Sequence, residues 1–400
     1  MSDTHRVITA RWILPVDGEP IQGGWIRLDD HQIFEVQTSK PPTAAIDLGD
    51  VAVLPGLVNA HTHLEFSDLS QPIGEPGITL PQWISMVVRQ RGDSDVDRRN
   101  RSIADGIQQS AAASVALIGD IATPPCHYDL LGSEESNPNA MPAIVSFAEV
   151  LGLSRPRSDA RWKAAQDHLA CDDGFGYSPH APYSTPREMI TRCVDASAKS
   201  GRPLAMHVAE SPAERELLTA GTGPFADALA AMGVWNADLF PWDDRPLEWL
   251  IDELSRSSRG LLVHANDFGD REIQRIAQHS NLSVVYCPRT HAFFDYPPHP
   301  VDRLLQAGVL VALGTDSRAS NPDLNLWGEV QHLLRHRTDL PPADVLRMAT
   351  ASGADALGRP DYGRIQPGCR SILGMLPTNA KSIDGVYESF RSEFPIPVPR

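Results

Sequence analysis

Short apolar runs alternate with longer amphipathic stretches through most of the chain. From residue 51 onward the runs at 51–59, 115–120, 143–147, 174–178, 204–207, 261–264, 282–287 and 309–314 read as buried strands. Between them, 80–91, 97–114, 161–169, 187–200, 214–231, 246–258, 270–279 and 301–307 read as helices. Eight strands alternating with helices predict a parallel α/β architecture, and the count fits a (β/α)8 TIM barrel. A doubly wound sheet would be expected to carry a glycine-rich phosphate turn after its first strand. Neither G-x-G-x-x-G there nor G-x-x-x-x-G-K-[ST] anywhere is present.

The first fifty residues follow a different grammar. Apolar runs at 6–10, 24–28 and 33–36 are separated by the turn residues Asp17-Gly18-Glu19-Pro20 and Asp29-Asp30. These predict the hairpins of a small antiparallel unit, too small to stand alone. Past the eighth strand, helices are expected near 325–338 and 342–357. Then Gly363–Gly368 turns into the run 371–376, a strand placed to rejoin the N-terminal hairpins. The tail, 377–400, has little pattern, and no element is assigned to it. The longest loops fall at 122–142 and 211–245, both after strand ends.

Composition narrows the function. A net charge of −16 argues against nucleic-acid or anionic-membrane partners. Five scattered cysteines without a C-x-x-C suggest reduced thiols in a cytoplasmic protein. The first residues carry Asp3 and no basic segment before an apolar run, so no signal peptide is expected. No apolar run approaches the ~20 residues that span a bilayer.

The chemistry gathers at the predicted strand ends. The first strand runs into His61-Thr62-His63; residues i and i+2 of a strand face one side, so two imidazoles converge. With 14 histidines in the chain, that pair alone decides nothing. Strand four ends in Ser178-Pro179-His180-Ala181-Pro182-Tyr183, strand five in His207-Val208-Ala209-Glu210 and strand six in Val263-His264. Strand seven ends in Cys287-Pro288-Arg289 and strand eight in Gly314-Thr315-Asp316-Ser317. In a barrel these ends share one rim. Three imidazoles and a carboxylate suit one divalent metal, Zn²⁺ first, with Fe²⁺ or Mn²⁺ as alternatives. Glu210, three residues past His207, is placed to shuttle a proton.

The series H-T-H, S-P-H-A-P-Y, H-x-A-E, V-H, C-P-R and G-T-D-S resembles the amidohydrolase superfamily, in its mononuclear-metal branch of deaminases and triazine hydrolases. The resemblance spans residues ~6–376. It implies a distorted (β/α)8 barrel over 55–360, and a small β-sandwich assembled from 1–54 and 361–400. His180 stands where two-metal relatives carry a bridging lysine, which favours one metal. By the same resemblance His61, His63, His207 and Asp316 are ligands, and Glu210 is the acid/base that protonates a ring nitrogen. His264 orients the water, Asp316 doubles as the base, His180 bonds the heterocycle, and Trp83 is a pocket aromatic that could equally be core. The implied reaction is hydrolytic deamination: a metal-activated hydroxide adds to a C–NH₂ carbon and ammonia leaves.

The substrate signal lies in His63-Leu64-Glu65-Phe66-Ser67, which is similar to aminodeoxyfutalosine deaminases, as are His180–Ser184 and Thr315-Asp316…Ser320-Asn321. Glu65 and Ser67 are accordingly expected at the substrate. Gly92 falls where adenosine-type relatives place a ribose-binding glutamate, while Arg289-Thr290-His291 and Ser371 depart from the pattern. The expectation is a 6-aminopurine nucleoside derivative in a homo-oligomeric enzyme. The alternatives are a chlorohydrolase, a free-base (cytosine or guanine) deaminase, an inactive metal-binding scaffold and a metal-free barrel that binds ligands.

Overall fold

The computed structural model describes residues 5–91, 95–128 and 141–399. Eight strands form one sheet in strict chain order: β1 (Leu57–Thr62), β2 (Val115–Ala122), β3 (Ala143–Val150), β4 (Gly176–Pro179), β5 (Leu204–Val208), β6 (Gly260–His264), β7 (Leu282–Tyr286) and β8 (Leu310–Leu313). From β1 to β8 each strand pairs with the next in parallel. Both faces are covered, as parallel strands with helical crossovers require. The eight residues of β2 and the five each of β5, β6 and β7 are all buried. Val58, Phe147, Leu261, Val263 and Val285 fill the interior of the ring, and a larger core lies between strands and helices.

The ring closes in an unusual way. Among the described residues no ladder joins β8 to β1. The Asp316 N–H donates to the His61 carbonyl at 3.1 Å. The fully buried Asn59 side chain does the rest, donating to Thr315 Oγ1 at 2.8 Å and accepting from the Thr315 N–H at 3.1 Å. Gly314 makes this approach possible, because a Cβ there would stand 2.8 Å from the His61 carbonyl oxygen.

Two small sheets flank the barrel. One orders Ile33–Gln37, Trp25–Leu28, Arg6–Thr9 and Ile46–Asp47; the other orders Ile396–Pro397, Leu373–Pro377, Val51–Pro55, Trp12–Ile13 and Ile21–Gln22. Ile8, Ile26, Leu28 and Ile33 share one apolar cluster with Val53, Ile365, Leu373 and Val398. Both chain ends therefore build one β-sandwich beside the (β/α)8 barrel.

Several expected elements divide differently. The run 51–59 is two strands: Val51–Pro55 belongs to the sandwich and Leu57–Thr62 to the barrel. Gly56 is the joint, where a Cβ would meet Ala116 Cβ at 2.5 Å. The helix expected at 214–231 is split by Gly221-Thr222-Gly223, both glycines at positive φ, into Pro212–Ala220 and Pro224–Ala231. The stretch 342–357 is likewise Pro342–Met348 and Ala351–Ala356. The tail is ordered. It carries the helix Ile383–Ser389 and the strand Ile396–Pro397, buries Val386 and Phe390 completely, and receives the Trp327 indole N–H at the Glu393 carbonyl, 2.8 Å away. Patterning missed it because its apolar residues are few and widely spaced. All five cysteines are free thiols. Among the described residues no helix is long and apolar enough to cross a membrane.

The barrel seam yields a stability prediction. Asn59→Ala removes both hydrogen bonds to Thr315 and strands a buried hydroxyl and N–H, so it should cost about 2–4 kcal/mol. Urea denaturation reads this directly; a loss under ~0.5 kcal/mol would mean the seam holds without Asn59.

Candidate metal centre

At the C-terminal rim, β1 presents His61 and, one residue past its end, His63. His207 comes from β5, His264 ends β6, and Asp316 follows β8. All five are buried. The ligand atoms of His61, His63 and His207 lie within 4.8 Å of one another, as do those of His61, His264 and Asp316. His63 Nε2 is 3.3 Å from His207 Nε2, while Asp316 Oδ1 is 3.6 Å from His61 Nε2 and 3.8 Å from His63 Nε2. Tetrahedral ligands at ordinary zinc bond lengths stand about 3.3–3.5 Å apart.

The hydrogen bonding of these rings fits a cation. The His207 Nδ1–H donates to the His180 carbonyl at 2.8 Å, which leaves Nε2 as a bare lone pair aimed at the cluster. Both ring nitrogens of His61 and Nε2 of His264 are buried without a hydrogen-bond partner. Such orphans are costly unless something outside the polypeptide satisfies them. Burial above all, then the neighbouring His61, holds His63 well below the ordinary histidine range; burial and His180 do the same to His207. Burial takes His264 down to about 3. All three are neutral, the form that ligates metal. Burial would raise Asp316, but the imidazoles of His61, His264 and His63 outweigh it and keep the carboxylate charged. It accepts from the Ser317 N–H at 2.7 Å and the Ser320 hydroxyl at 3.1 Å.

The backbone at this rim is strained. Ala209, His264, Ala265 and Asp316 have positive φ, of 53°, 76°, 55° and 55°. Non-glycine residues there cost about 1–3 kcal/mol each and persist only when the surroundings hold them. Glu214 holds the first: its carboxylate receives the N–H groups of Ala209 (2.7 Å) and Glu210 (3.1 Å). The buried His299 holds the second, its Nε2–H donating to the His264 carbonyl at 2.8 Å. Behind Asp316, Asn321 donates to the Thr315 carbonyl and to Glu329, both at 2.7 Å, and Glu329 pairs with Arg289 at 2.6 Å.

Residues 158–381 match the Amidohydrolase family. The chain belongs to that family. It is 31% identical over 335 residues to the aminodeoxyfutalosine deaminase of Deinococcus radiodurans, covering 79% of this chain and 76% of the relative. It is 27% identical over 390 residues to the 5-methylthioadenosine/S-adenosylhomocysteine deaminase of Nitratidesulfovibrio vulgaris, covering 92% and 82%. The fold is also that of Helicobacter pylori aminofutalosine deaminase solved with methylthio-coformycin: TM-score 0.83, 22% identity, with 98% of this chain and 97% of that chain covered.

A cavity of about 920 Å³ opens over the rim of this amidohydrolase. His63, His207 and Asp316 reach its floor, and Glu210, His180, Glu65 and Trp83 line it. Glu210 is 5% exposed; its Oε1 lies 3.4 Å from His264 Nε2, and its Oε2 accepts from the Tyr183 hydroxyl at 3.1 Å. Burial, followed by the nearby Asp316 and Glu214 charges, pushes its carboxyl well above the usual range. Trp83 is half-buried, donates to the Ala319 carbonyl at 3.1 Å and packs edge-on against Phe294. Ser67 is not brought to the cavity. It is 2% exposed and donates instead to the Leu64 carbonyl at 2.7 Å, because the turn after His63 points it at the helix Val96–Ala112. Gly92 lies outside the described residues.

Sequence reasoning assigned no role to Asn59, Asp120, Glu149, Tyr183, Glu214 or His299. One of them carried a signal: Ser211-Pro212-Ala213-Glu214 is a capping-box pattern directly after H-x-A-E. Asp120 accepts the Leu64 N–H at 2.8 Å and so fixes the turn after His63.

Purified protein is expected to hold one divalent metal per chain by elemental analysis, and His207→Ala to lose it. Because burial keeps the imidazoles neutral below their usual pKa, the metal should stay bound at pH 6. Release between pH 7 and 6 would contradict these proton affinities.

Proposed function

We propose that this amidohydrolase is a metal-dependent hydrolytic deaminase of a 6-aminopurine nucleoside derivative, with aminodeoxyfutalosine as the best single candidate. The observation that carries the reading is Glu210: a buried, readily protonated carboxyl above a cluster of neutral imidazoles and one ionised aspartate. The deaminase relatives at 31% and 27% identity support it.

His61, His63, His207 and Asp316 would hold the metal. When bound, such a metal acts as a Lewis acid and makes a water nucleophile available near neutral pH. Asp316, anionic and beside His61, takes the proton that the water gives up. His264 fixes the water's direction of approach; its strained backbone is what aims the ring inward. Glu210 delivers its proton to the ring nitrogen next to the C–NH₂ carbon, so negative charge never builds on the heterocycle. The Tyr183 hydroxyl and Glu214 hold Glu210 in that place. A cation on the cluster would lower the Glu210 pKa again and ease the release of that proton. Water adds, the C–N bond breaks, ammonia leaves, and an oxo purine remains. His180 lines the same cavity and would bond the heterocycle, and Trp83 with Ile84 and Val87 gives it an apolar side.

Glu210→Gln should retain the metal and lose at least ~100-fold in kcat, because the amide cannot supply the proton. Unchanged turnover would remove Glu210 from the shuttle. Ammonia release across adenosine, S-adenosylhomocysteine, methylthioadenosine, aminodeoxyfutalosine, guanine and cytosine should give the highest kcat/KM on a nucleoside. Turnover of guanine or cytosine alone would overturn the nucleoside reading.

A further inference from the structure

The hydroxyl that holds Glu210 has a support of its own. Tyr183 is buried in the turn after β4, and its ring stacks on Phe225 with centroids 4.5 Å apart and planes at 21°. Phe225, also buried, belongs to the helix Pro224–Ala231. A tyrosine side chain turns about two torsions, so the place of its hydroxyl depends on what the ring packs against. The same helix is joined to Glu210 along the chain. Ser211 caps the helix Pro212–Ala220 by accepting from the Glu214 N–H, and Glu214 holds the backbone of Ala209 and Glu210. The two helices meet at Gly221-Thr222-Gly223, where the glycines have φ of 66° and 88°, and Gly233 follows the second helix with φ 70°. A Cβ at Gly233 would meet nothing within 4 Å, so glycine serves the backbone there, not packing. The second helix thereby returns over the cavity, where Phe225, Ala228 and Leu229 line the wall together with Tyr183 and Glu210. Glu210 is held twice from one stretch of chain: its backbone by the first helix, and its carboxyl, through Tyr183, by the second.

We infer that Phe225 is a positioning residue for the proton-transfer step: its ring fixes Tyr183, and so the carboxyl that delivers the proton. This rests on the deaminase reading above. A hydrocarbon ring has no proton to give, so an effect of Phe225 on turnover runs through its neighbour. Proton transfer needs heavy atoms within about 2.6–3.2 Å of each other. Without the stack, the Tyr183 ring turns, its hydroxyl leaves Glu210 Oε2, and the carboxyl loses its fixed direction. Leucine at 225 would keep this wall apolar, so substrate affinity should change little while the chemical step slows. A substrate resting against Ala228 and Leu229 also presses on the helix that carries Phe225, so contact far from the reacting carbon supports the acid.

The test uses the metal-loaded full-length protein, with ammonia release from adenosine and aminodeoxyfutalosine as the assay. Phe225→Leu should lower kcat about 10- to 100-fold, keep KM within about threefold of the wild type and retain the metal. Tyr183→Phe should lower kcat likewise, and the double variant should be no slower than Tyr183→Phe alone. Effects that multiply in the double variant are the signature of a merely structural role and overturn the proposal. So does an unchanged kcat in either single variant, or a change confined to KM. Phe225→Met takes the place of the leucine variant if that one does not fold. A crystal structure of metal-loaded Phe225→Leu gives a readout that needs no turnover: the Tyr183 hydroxyl should stand ~1 Å or more from its wild-type position. Its 3.1 Å bond to Glu210 intact in that variant overturns the proposal by itself. A displaced hydroxyl in the variant, with no ammonia from either nucleoside in the wild type, sinks the deaminase reading and leaves Phe225 as the support of Tyr183.

Discussion

The site depends on how the barrel is closed. Parallel strands normally meet through a continuous ladder, but β8 and β1 are joined through the Asn59 amide, the Thr315 backbone and hydroxyl, and one bond from Asp316 to the His61 carbonyl. The residues that close the ring are therefore within two positions of residues that would bind metal. Closing the seam sets the distance between His61 and Asp316. A conventional ladder would have spent the same backbone groups on β-geometry and denied Asp316 its positive φ. The Thr62 hydroxyl, turned away from the cluster, reinforces the seam by donating to the Asp316 carbonyl at 2.8 Å.

The same economy runs around the rim. Three strand ends leave regular geometry, at Ala209, His264–Ala265 and Asp316, and each is held by a buried polar group outside the cluster. Glu214 receives two N–H groups, His299 grips one carbonyl, and the Asn321–Glu329–Arg289 chain backs the last. These supports are rigid because they are buried and hydrogen-bonded, so catalytic side chains need little reorganisation when a substrate arrives. Asp120 extends the pattern. It fixes the Leu64 N–H, and its other oxygen accepts from the Tyr128 hydroxyl, which meets Ser146 and through it His168 in the helix Arg155–Leu169.

The sequence made the barrel and the cluster legible for one reason. Strands buried on both faces read as unbroken apolar runs, and the polar residues that interrupt them mark the rim. His61, His207, His264 and Asp316 could be collected by that rule alone. The supports could not. Glu149 and Asp120 end strands, but a single carboxylate at a strand end looks the same whether it faces substrate, solvent or a backbone N–H. His299 lies in a loop with no pattern, and its bond to His264 spans 35 residues of chain. Ser67 failed in the opposite direction. Its motif placed it near the substrate, but whether a side chain after a turn points in or out is set by one 3₁₀ turn, Leu64–Phe66, that periodicity cannot resolve. The split of 51–59 has a similar cause: a glycine joint between two sheets leaves the hydrophobic run uninterrupted.

Charge gives the strongest reason to expect a cation on this rim. Asp316 is ionised and 5% exposed, yet among the described residues no arginine or lysine pairs with it. Two other buried carboxyl side chains do have arginine partners: Glu329, 0% exposed, has Arg289, and Glu65 has Arg99. At the cluster the charge is instead surrounded by imidazoles that burial keeps neutral. Two N–H or O–H donors offset only part of the desolvation of an ionised carboxylate. A divalent ion would supply the rest, and it would take up one orphaned nitrogen of His61 and the bare lone pair of His207 in the same step. Glu210 stands beside that cluster, 3.4 Å from His264 Nε2, with its carboxyl pushed well above the usual range by burial and its Oε2 accepting from the Tyr183 hydroxyl.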